Sequence, residues 1–378
     1  MKEKYSKLFE NYMLKDGITL KNRLVMAPMT TWSSNGDATI SDAEADYYRE
    51  RVKGVGLVIT GCTHVAANGL GFSGEFASYD DQFVPSLKKL AAAAKSGGAP
   101  AILQIFHAGN KAIPELIPNA DVVSSSALQT ETTAFTEGHV QPRELPHEEI
   151  LEIIEAFGEA TRRAIEVGFD GVEIHGAHGF LIQNFFSPLF NQRIDMWGGS
   201  LENRMRFPLA IVEKINQVIK QHASKPFVLG FRISPEESQE GGLRIQDTYA
   251  LIDRLIDEKV DYVHASLSNV LSSKPMGSQD EDTIAQAIVK HVNGRIPVLA
   301  AGFLRTPDDV DKALDMGLPL PVIGQALVMN PNWVELVQSG REDEIDVELK
   351  VSKVEQIRLP EKMWTAIKGT PGWFVISE

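Results

Sequence analysis

Two histidines three residues apart are the first candidates for chemistry. His175 and His178 lie in Glu173-Ile-His-Gly-Ala-His-Gly-Phe180, where glycines flank the pair. An imidazole donates or accepts hydrogen bonds near neutral pH, so two together can bind and polarise a substrate oxygen. Two histidines can also bind a metal ion, although no cluster of carboxylate ligands accompanies this pair. A third alternative is structural, because a histidine at a strand end often only completes local hydrogen bonds.

Two polar residues interrupt segments that are otherwise apolar. Gln104 lies within residues 101–106, and Arg232 lies within residues 227–233. Burying an unpaired amide costs roughly 2–7 kcal/mol, so Gln104 predicts a polar partner. A buried guanidinium predicts an anion, or a negative charge that develops during a reaction.

The elements that must position these residues alternate along the chain. Eight short apolar segments are predicted as strands: 23–29, 56–60, 101–106, 171–175, 227–233, 262–265, 297–301 and 321–324. Helical patterns lie between them, at 83–95, 148–167, 203–220, 246–258, 282–293 and 307–316. This order predicts an α/β fold, a (β/α)8 TIM barrel. The rival is an open doubly wound sheet, which usually has Gly-x-Gly-x-x-Gly after its first strand, whereas residues 27–30 read APMT.

In such a barrel the chemistry gathers at the carboxyl ends of the strands. The residues that follow the predicted strands form a polar ring there, with Thr30, Cys62, His175, Gly302 and Gly324 among them. The loops after strands seven and eight often bind a phosphate, and glycine lets backbone N–H groups approach it. The pattern predicts a barrel enzyme with a phosphorylated ligand.

Composition narrows the class of protein. The 378 residues carry a net charge of −14, which disfavours nucleic acids and anionic membrane surfaces as partners. The single cysteine cannot form an internal disulfide or a four-cysteine metal site. The chain begins without the apolar segment of a signal peptide, and the uncharged stretches at 54–74 and 316–334 are broken by glycine or proline. We therefore expect a cytoplasmic protein that acts on small molecules.

Four segments resemble the old yellow enzyme family of FMN-dependent NADH or NADPH oxidoreductases. They are LKNRLVMAPM at 20–29, QIFHAGNK at 104–111, VEIHGAHGFL at 172–181 and SPLFNQRIDMWGGSLENRMRF at 187–207. The resemblance covers about residues 6–340. It implies FMN as cofactor, NADH or NADPH as reductant, and hydride transfer from flavin N5 to an activated alkene, a quinone or a nitro compound.

The resemblance also implies roles for individual residues. Thr30 would lie near the flavin C4 carbonyl and N5, Gln104 would bond the pyrimidine edge, and Arg232 would face N1 and O2. His175 and His178 would bind the substrate oxygen, and Trp32 and Phe180 would line the substrate pocket. The remaining residues implied at the cofactor are Pro28, Met29, Cys62, Gly302, Phe303, Gly324 and Gln325.

Two positions depart from the family pattern. Phe180 stands where typical members have a tyrosine that protonates the substrate α-carbon, so alkene reduction is expected to suffer more than quinone or nitro reduction. Gln325 stands where an arginine usually pairs with the FMN phosphate, and Arg305 is the candidate replacement. A flavin-binding barrel with weak ene-reductase activity is thus one alternative, and a metal-dependent barrel hydrolase that uses the histidines is another.

The domain organisation follows from the same pattern. Residues 1–340 are predicted as one FMN-binding barrel with rim insertions, and 341–378 as a C-terminal extension packed on the barrel or on a partner subunit. Segment 110–147 is long for a barrel loop and is predicted to be an active-site lid. A homodimer or higher homo-oligomer is left open beside the monomer.

Overall fold

The computed structural model describes residues 3–129, 141–279 and 281–378, and within them the chain forms a closed parallel barrel. The barrel strands, numbered in chain order, are β1 Val25–Met26, β2 Leu57–Ile59, β3 Ala101–Phe106, β4 Gly171–Gly176, β5 Val228–Ile233, β6 Tyr262–Ser266, β7 Val298–Ala301 and β8 Leu320–Ile323. Strand β8 pairs in parallel with β1, as Val322 opposite Val25 shows, and this pairing closes the ring. The predicted (β/α)8 barrel is confirmed, and the open sheet is excluded.

Helices surround the barrel on its outer face. Their bounds are α1 Asp42–Arg51, α2 Val84–Ala94, α3 His147–Val167, α4 Leu181–Phe186, α5 Leu201–His222, α6 Ile245–Asp257, α7 Ile284–Val292, α8 Pro307–Asp315, α9 Gln325–Met329, α10 Trp333–Ser339 and α11 Glu361–Gly369. Helix α8 starts as its sequence predicts, because the Thr306 hydroxyl accepts from the Asp309 N–H and Pro307 occupies the first turn.

The amino-terminal end of the barrel is closed. Apolar side chains from the strands fill the lower interior, among them Val25, Leu57, Ile102, Val228, Leu299, Leu320 and Val322. A hairpin of Tyr12–Lys15 and Ile18–Leu20 adds the buried Leu14 and Leu20 to this cluster. Polar groups can therefore gather only at the opposite, carboxyl end of the strands.

Two strands are shorter than their apolar segments predict. Strand β1 stops at Met26, although the segment runs to Met29, and β2 stops at Ile59. The Ala27 N–H still donates to the Ile323 carbonyl (2.9 Å), and after it the chain leaves the ladder. Pro28, which has no N–H to donate, thus begins the loop above the barrel.

The rim carries additional structure between β3 and α3. Short 3₁₀ turns occur at Gly109–Lys111, Pro114–Leu116 and Pro118–Ala120, and Val123–Ser124 pairs in parallel with Arg143–Glu144. The centre of the predicted lid, 130–140, lies outside the described residues, so the lid stays a prediction.

The C-terminal segment contacts the barrel at several points. The Arg51 guanidinium donates to the Ile357 carbonyl (2.7 Å), and Asn330 donates to the Asp346 carbonyl (2.8 Å). Leu349–Lys350 pairs with Ile376–Ser377, which brings the end of the chain back towards the rim. We propose on these contacts that 341–378 is an extension of one barrel domain. No helix in the described part of the chain is long and apolar enough to cross a membrane.

Candidate active site

A cavity of about 330 Å³ opens at the carboxyl ends of the barrel strands. All fourteen residues that the sequence nominated for the site line it: Pro28, Met29, Thr30, Trp32, Cys62, Gln104, His175, His178, Phe180, Arg232, Gly302, Phe303, Gly324 and Gln325. Ser266, a member of the predicted polar ring, also lines the cavity, as do Phe72 and Trp373, which the sequence did not nominate. The barrel thus brings together the fourteen nominated residues, which are up to 297 positions apart in the sequence (Pro28 to Gln325).

The two histidines stand side by side above β4. Their ring centroids are 4.9 Å apart, and the planes are nearly perpendicular. The Ala177 N–H donates to His175 Nδ1 (3.3 Å), so the neutral ring carries its proton on Nε2 as a donor. His178 has a left-handed backbone (φ 60°), and its N–H donates to the Ser234 hydroxyl (3.0 Å), which holds this turn. We call this part of the rim, with Phe180, the histidine side.

Both imidazoles are neutral at physiological pH. Burial lowers the pKa of His175 well below its ordinary value, and the neighbouring His178 and Arg232 lower it further. Desolvation also lowers the pKa of His178, followed by the charges of Arg232 and Lys111, although His178 is an exposed residue. The pair therefore offers N–H donors rather than imidazolium charges.

Arg232 is buried at the end of β5, and its side chain is only partly satisfied. One Nη donates to the Ser266 hydroxyl (3.1 Å), whereas Nε has no hydrogen-bond partner among the described residues. Burial lowers the pKa of this guanidinium, while Glu173 works in the opposite direction. A buried cation with a free donor is costly, so this geometry suits an anionic or strongly polar ligand.

A buried network that the sequence did not reveal lies behind Arg232 and Gln104. The Glu173 carboxylate accepts from Gln104 Nε2 (2.6 Å) and from the Tyr262 hydroxyl (2.9 Å), and it pairs with His264 Nδ1 (3.0 Å). Burial raises the pKa of Glu173, but His264 and Arg232 outweigh it and the net direction is down. The expected polar partner of Gln104 is thus Glu173, and the amide oxygen stays available to a ligand.

Aromatic rings cover the histidine side. Phe180 lies 5.0 Å from the His175 ring and 6.0 Å from Phe72, measured between centroids. Phe72 contacts Trp32 at 5.7 Å, and Trp32 contacts Trp373 at 5.5 Å. These rings meet edge to face and line the cavity, so one of its walls is aromatic and apolar.

Comparison with known proteins identifies the family. A model described as the NADH:flavin oxidoreductase / NADH oxidase family matches residues 7–344. The chain belongs to this family. It is 44% identical to the probable NADH-dependent flavin oxidoreductase YqiG of Bacillus subtilis, over 99% of this chain and 99% of that protein.

Two further similarities concern an extended relative and the fold. The chain is 37% identical to the NADH:fumarate oxidoreductase of Klebsiella pneumoniae over 95% of its own length, but it spans only 38% of that protein. The old yellow enzyme homologue of Zymomonas mobilis superposes with a TM-score of 0.76 at 24% identity, covering 88% of this chain and 93% of that one. This last likeness concerns the fold alone.

Membership confirms the family, the FMN cofactor and the nicotinamide reductant that the four segments implied. This FMN-dependent oxidoreductase is of the old yellow enzyme type and uses NADH or NADPH as reductant. Membership of this family contradicts the alternative function of a metal-dependent hydrolase. In the part of the chain that the structure describes, no group of three or more His, Cys, Asp or Glu side chains could hold a metal ion.

The residues present fit FMN at the side of the rim formed by β7 and β8. Gly302 has a φ of 155°, and an added Cβ would lie 2.5 Å from the Leu267 carbonyl oxygen. A Cβ on Gly324 would lie 3.3 Å from Ala27 and 3.4 Å from the Met29 sulfur, so it would narrow the cavity. The missing Cβ at Gly324 leaves space for a phosphate, and the one at Gly302 lets its backbone lie against Leu267. The free Nε of Arg232 suits the flavin ring. We call this region, with Gln325 and Arg305, the glycine side.

Gln325 departs from the family pattern in a way that the structure explains. Its Oε1 accepts from an Arg305 Nη (2.9 Å), while Nε2 donates to the Trp373 carbonyl. The Arg305 guanidinium also covers the exposed Phe303 ring at 4.0 Å. An arginine at 325 could not accept from Arg305, so the glutamine holds that cation beside the cavity.

Cys62 is buried against the cavity. It is 5% exposed, and its sulfur lies 3.8 Å from the Thr30 hydroxyl oxygen, within hydrogen-bond range for sulfur. Burial raises the pKa of the thiol well above its ordinary value, which favours the protonated form.

Proposed function

We propose that this flavoenzyme transfers a hydride from reduced FMN to a quinone, an activated alkene or a nitro compound, with His175 and His178 binding the acceptor oxygen. The observation that carries the proposal is a pair of neutral imidazoles beside a buried, incompletely bonded arginine in one cavity. When bound, FMN supplies the hydride. The chain supplies the donors that bind and polarise the acceptor.

Hydrogen bonds fix the donor atoms of both histidines. His175 presents Nε2–H because its Nδ1 accepts from the backbone. The Ser266 hydroxyl accepts from Arg232, so its own proton can go to His178 Nε2, 2.7 Å away. His178 then carries its remaining proton on Nδ1. Two neutral N–H donors aimed at one oxygen would stabilise the negative charge that develops there as hydride arrives.

The cofactor contacts extend the same proposal. Pro28, Met29 and Thr30 would line the flavin together with Cys62, and Gln104 would bond its pyrimidine edge. Arg232 would stabilise the negative charge of the reduced ring. The backbone at 302–303 and 324–325 would hold the phosphate, with Arg305 as the nearby cation. Each of these residues lines the cavity, which supports the assignment.

Anaerobic half-reactions test the proposal. We expect NADH or NADPH to bleach the yellow holoprotein, and a panel of quinones, enones and nitro compounds to restore the colour. Removing one donor, as in His175→Ala or His178→Ala, should slow reoxidation by about 100-fold. His291→Ala, at a ring stacked on Tyr249, is the matched control. A holoprotein that neither reductant bleaches would contradict the oxidoreductase proposal.

We further propose a cytoplasmic location and small-molecule partners. The net charge of −14 and one buried thiol support a reducing compartment and argue against polyanionic partners. The homo-oligomer stays a prediction, and sedimentation of the purified holoprotein tests it.

A further inference from the structure

The C-terminal segment reaches the active-site cavity through a single ring. Trp373 lines the cavity, although it lies beyond residue 344, where the match to the family model ends. Its ring meets Trp32 edge to face, with centroids 5.5 Å apart and planes at 70°. This part of the wall therefore lies outside the residues that the family model matches.

Trp373 is the end of an arc of rings that reaches the catalytic pair. The arc runs from Trp373 through Trp32, Phe72 and Phe180 to His175, with successive centroids 5.5, 5.7, 6.0 and 5.0 Å apart. Trp32 follows β1, and His175 ends β4, so the arc spans almost half of the rim. Every member of the arc lines the cavity, so its tryptophan and phenylalanine rings form an apolar wall that ends at His175.

The tail is held at this position by the glycine side. Gln325 Nε2 donates to the Trp373 carbonyl, and the Trp373 N–H donates to the Thr370 carbonyl at 3.2 Å. The pairing of Leu349 with Ile376 anchors the segment beyond the ring. These contacts order the backbone on both sides of Trp373, so its ring can meet a ligand with little loss of conformational entropy.

We infer that Trp373 is a specificity-determining residue and that the acceptor it selects is a planar quinone. This inference rests on the proposed function for the reaction itself. Aromatic rings in a pocket wall favour planar aromatic ligands, since stacked or edge-to-face rings gain contact area in a defined geometry. The charged residues lining the cavity are Arg232 and Arg305, and no acidic side chain of the described residues lines it. Such a site suits a ligand whose oxygens become negative during the reaction.

Phe180 supports the same choice of acceptor. The nicotinamide gives up a hydride and becomes oxidised; the quinone takes up that hydride and one solvent proton, and its two carbonyls become the hydroxyls of a hydroquinone. No proton has to be delivered to carbon, which an alkene acceptor would require. Phe180, next to His175 in the arc, has no acidic proton, and quinone reduction does not require one from this side chain.

The test compares one flat and one small acceptor in three variants. Trp373→Ala and Trp373→Leu remove the ring, and Trp373→Phe restores one. We expect kcat/KM for menadione relative to cyclohexenone to fall about 10-fold in the first two and to recover in the third. Trp364→Ala is the matched control, because this tail tryptophan lies under Lys368 and does not line the cavity. An unchanged ratio in Trp373→Leu, or an equal fall in Trp364→Ala, would overturn the inference.

A binding measurement separates this inference from the proposed function. Calorimetric titration of the oxidised holoprotein with naphthol needs no turnover, and its Kd should rise about 10-fold in Trp373→Ala and Trp373→Leu. If naphthol binds the Leu variant as tightly as the unmodified chain, Trp373 is not a wall of the pocket. If NADH and NADPH fail to bleach the flavin but naphthol binds the Trp373 variants more weakly, the proposed reaction is contradicted. The role of Trp373 as a wall of the pocket is then still supported.

Discussion

The histidine side and the glycine side of the rim differ in the groups that they present to a ligand. The histidine side presents side chains. Hydrogen bonds with Ala177 and Ser266 orient the two rings, and the His178 N–H donates to the Ser234 hydroxyl, which holds the turn. The glycine side presents bare backbone at Gly302 and Gly324, and its side chains are arranged by a distant segment through Gln325. Strands β4 and β8 lie four positions apart in the ring of eight, so the two sides face each other across the barrel. Chemistry is therefore fixed locally on one side, while cofactor binding on the other depends on long-range contacts.

The largest effect is expected from giving the histidine side a proton donor. Phe180→Tyr places a hydroxyl in the cavity beside His175, and a positioned acid contributes about 10²–10⁴-fold to a proton transfer. We expect enone reduction to rise about 100-fold, the low end of that range, with menadione reduction unchanged. Stopped-flow reoxidation of the reduced holoprotein measures both. A rise in both rates, or in neither, would show that proton delivery is not what limits the alkene reaction.

The next effect concerns the backbone of the glycine side. Gly302→Ala forces a Cβ towards the Leu267 carbonyl at a φ of 155°, a region that costs non-glycine residues about 1–3 kcal/mol. We expect the FMN affinity of the apoprotein to fall about 10–100-fold by fluorescence titration. Gly369→Ala is the control, because an added Cβ there meets no described atom within 4 Å and the backbone is not left-handed. Equal FMN affinities in the two variants would remove the phosphate cradle from the proposal.

Arg232 should affect the reduced flavin more than the oxidised one. Arg232→Gln removes a charge-assisted hydrogen bond worth about 1.5–3 kcal/mol, equivalent to a fall of about 30–60 mV in the flavin midpoint potential. Spectroelectrochemical titration measures it. Arg295→Gln, at an arginine that bonds Val292 and Asp253 instead, should leave the potential unchanged. A potential that rises in Arg232→Gln would contradict the proposed contact with the anionic ring.

The smallest effect is expected from Ser266, whose hydroxyl lies between Arg232 and His178. Its hydroxyl accepts from Arg232 and reaches His178, so Ser266→Ala breaks two hydrogen bonds at once. A net hydrogen bond is worth about 0.5–1.5 kcal/mol, which predicts a rise of about 3–10-fold in the acceptor KM. Ser268→Ala, in the same loop, is the matched control. An effect on kcat alone would assign Ser266 a role other than orienting His178.

The sequence predicted the histidine side more completely than its surroundings. His175, His178 and Phe180 follow one strand, and their spacing and glycine neighbours are visible in eight consecutive residues. The partner of Gln104 could not be identified in this way, because Glu173 is 69 positions away and faces it only after β3 and β4 pair. The alternation of polar residues along β6, at Tyr262 and His264, was the available signal for the buried network.

Contacts made by the tail were the least predictable. The aromatic content of 341–378 indicated that the segment packs on something, but no periodicity links Trp373 to Trp32, 341 positions earlier. Such a contact depends on the three-dimensional course of several loops rather than on the periodicity of the local sequence. The same reason explains Phe72, which reaches the cavity from the loop after β2. Barrel topology can be inferred from alternating segments, whereas the shape of a rim cannot.

The hairpin at the amino-terminal end of the barrel restricts how ligands reach the site. Because Leu14 and Leu20 seal the lower interior, every molecule that visits the site must enter and leave by the upper mouth. Reductant and acceptor therefore share one entrance to the cavity. Aliphatic side chains at the amino-terminal end of the barrel thus leave the carboxyl-end loops as the segments that control access for both molecules.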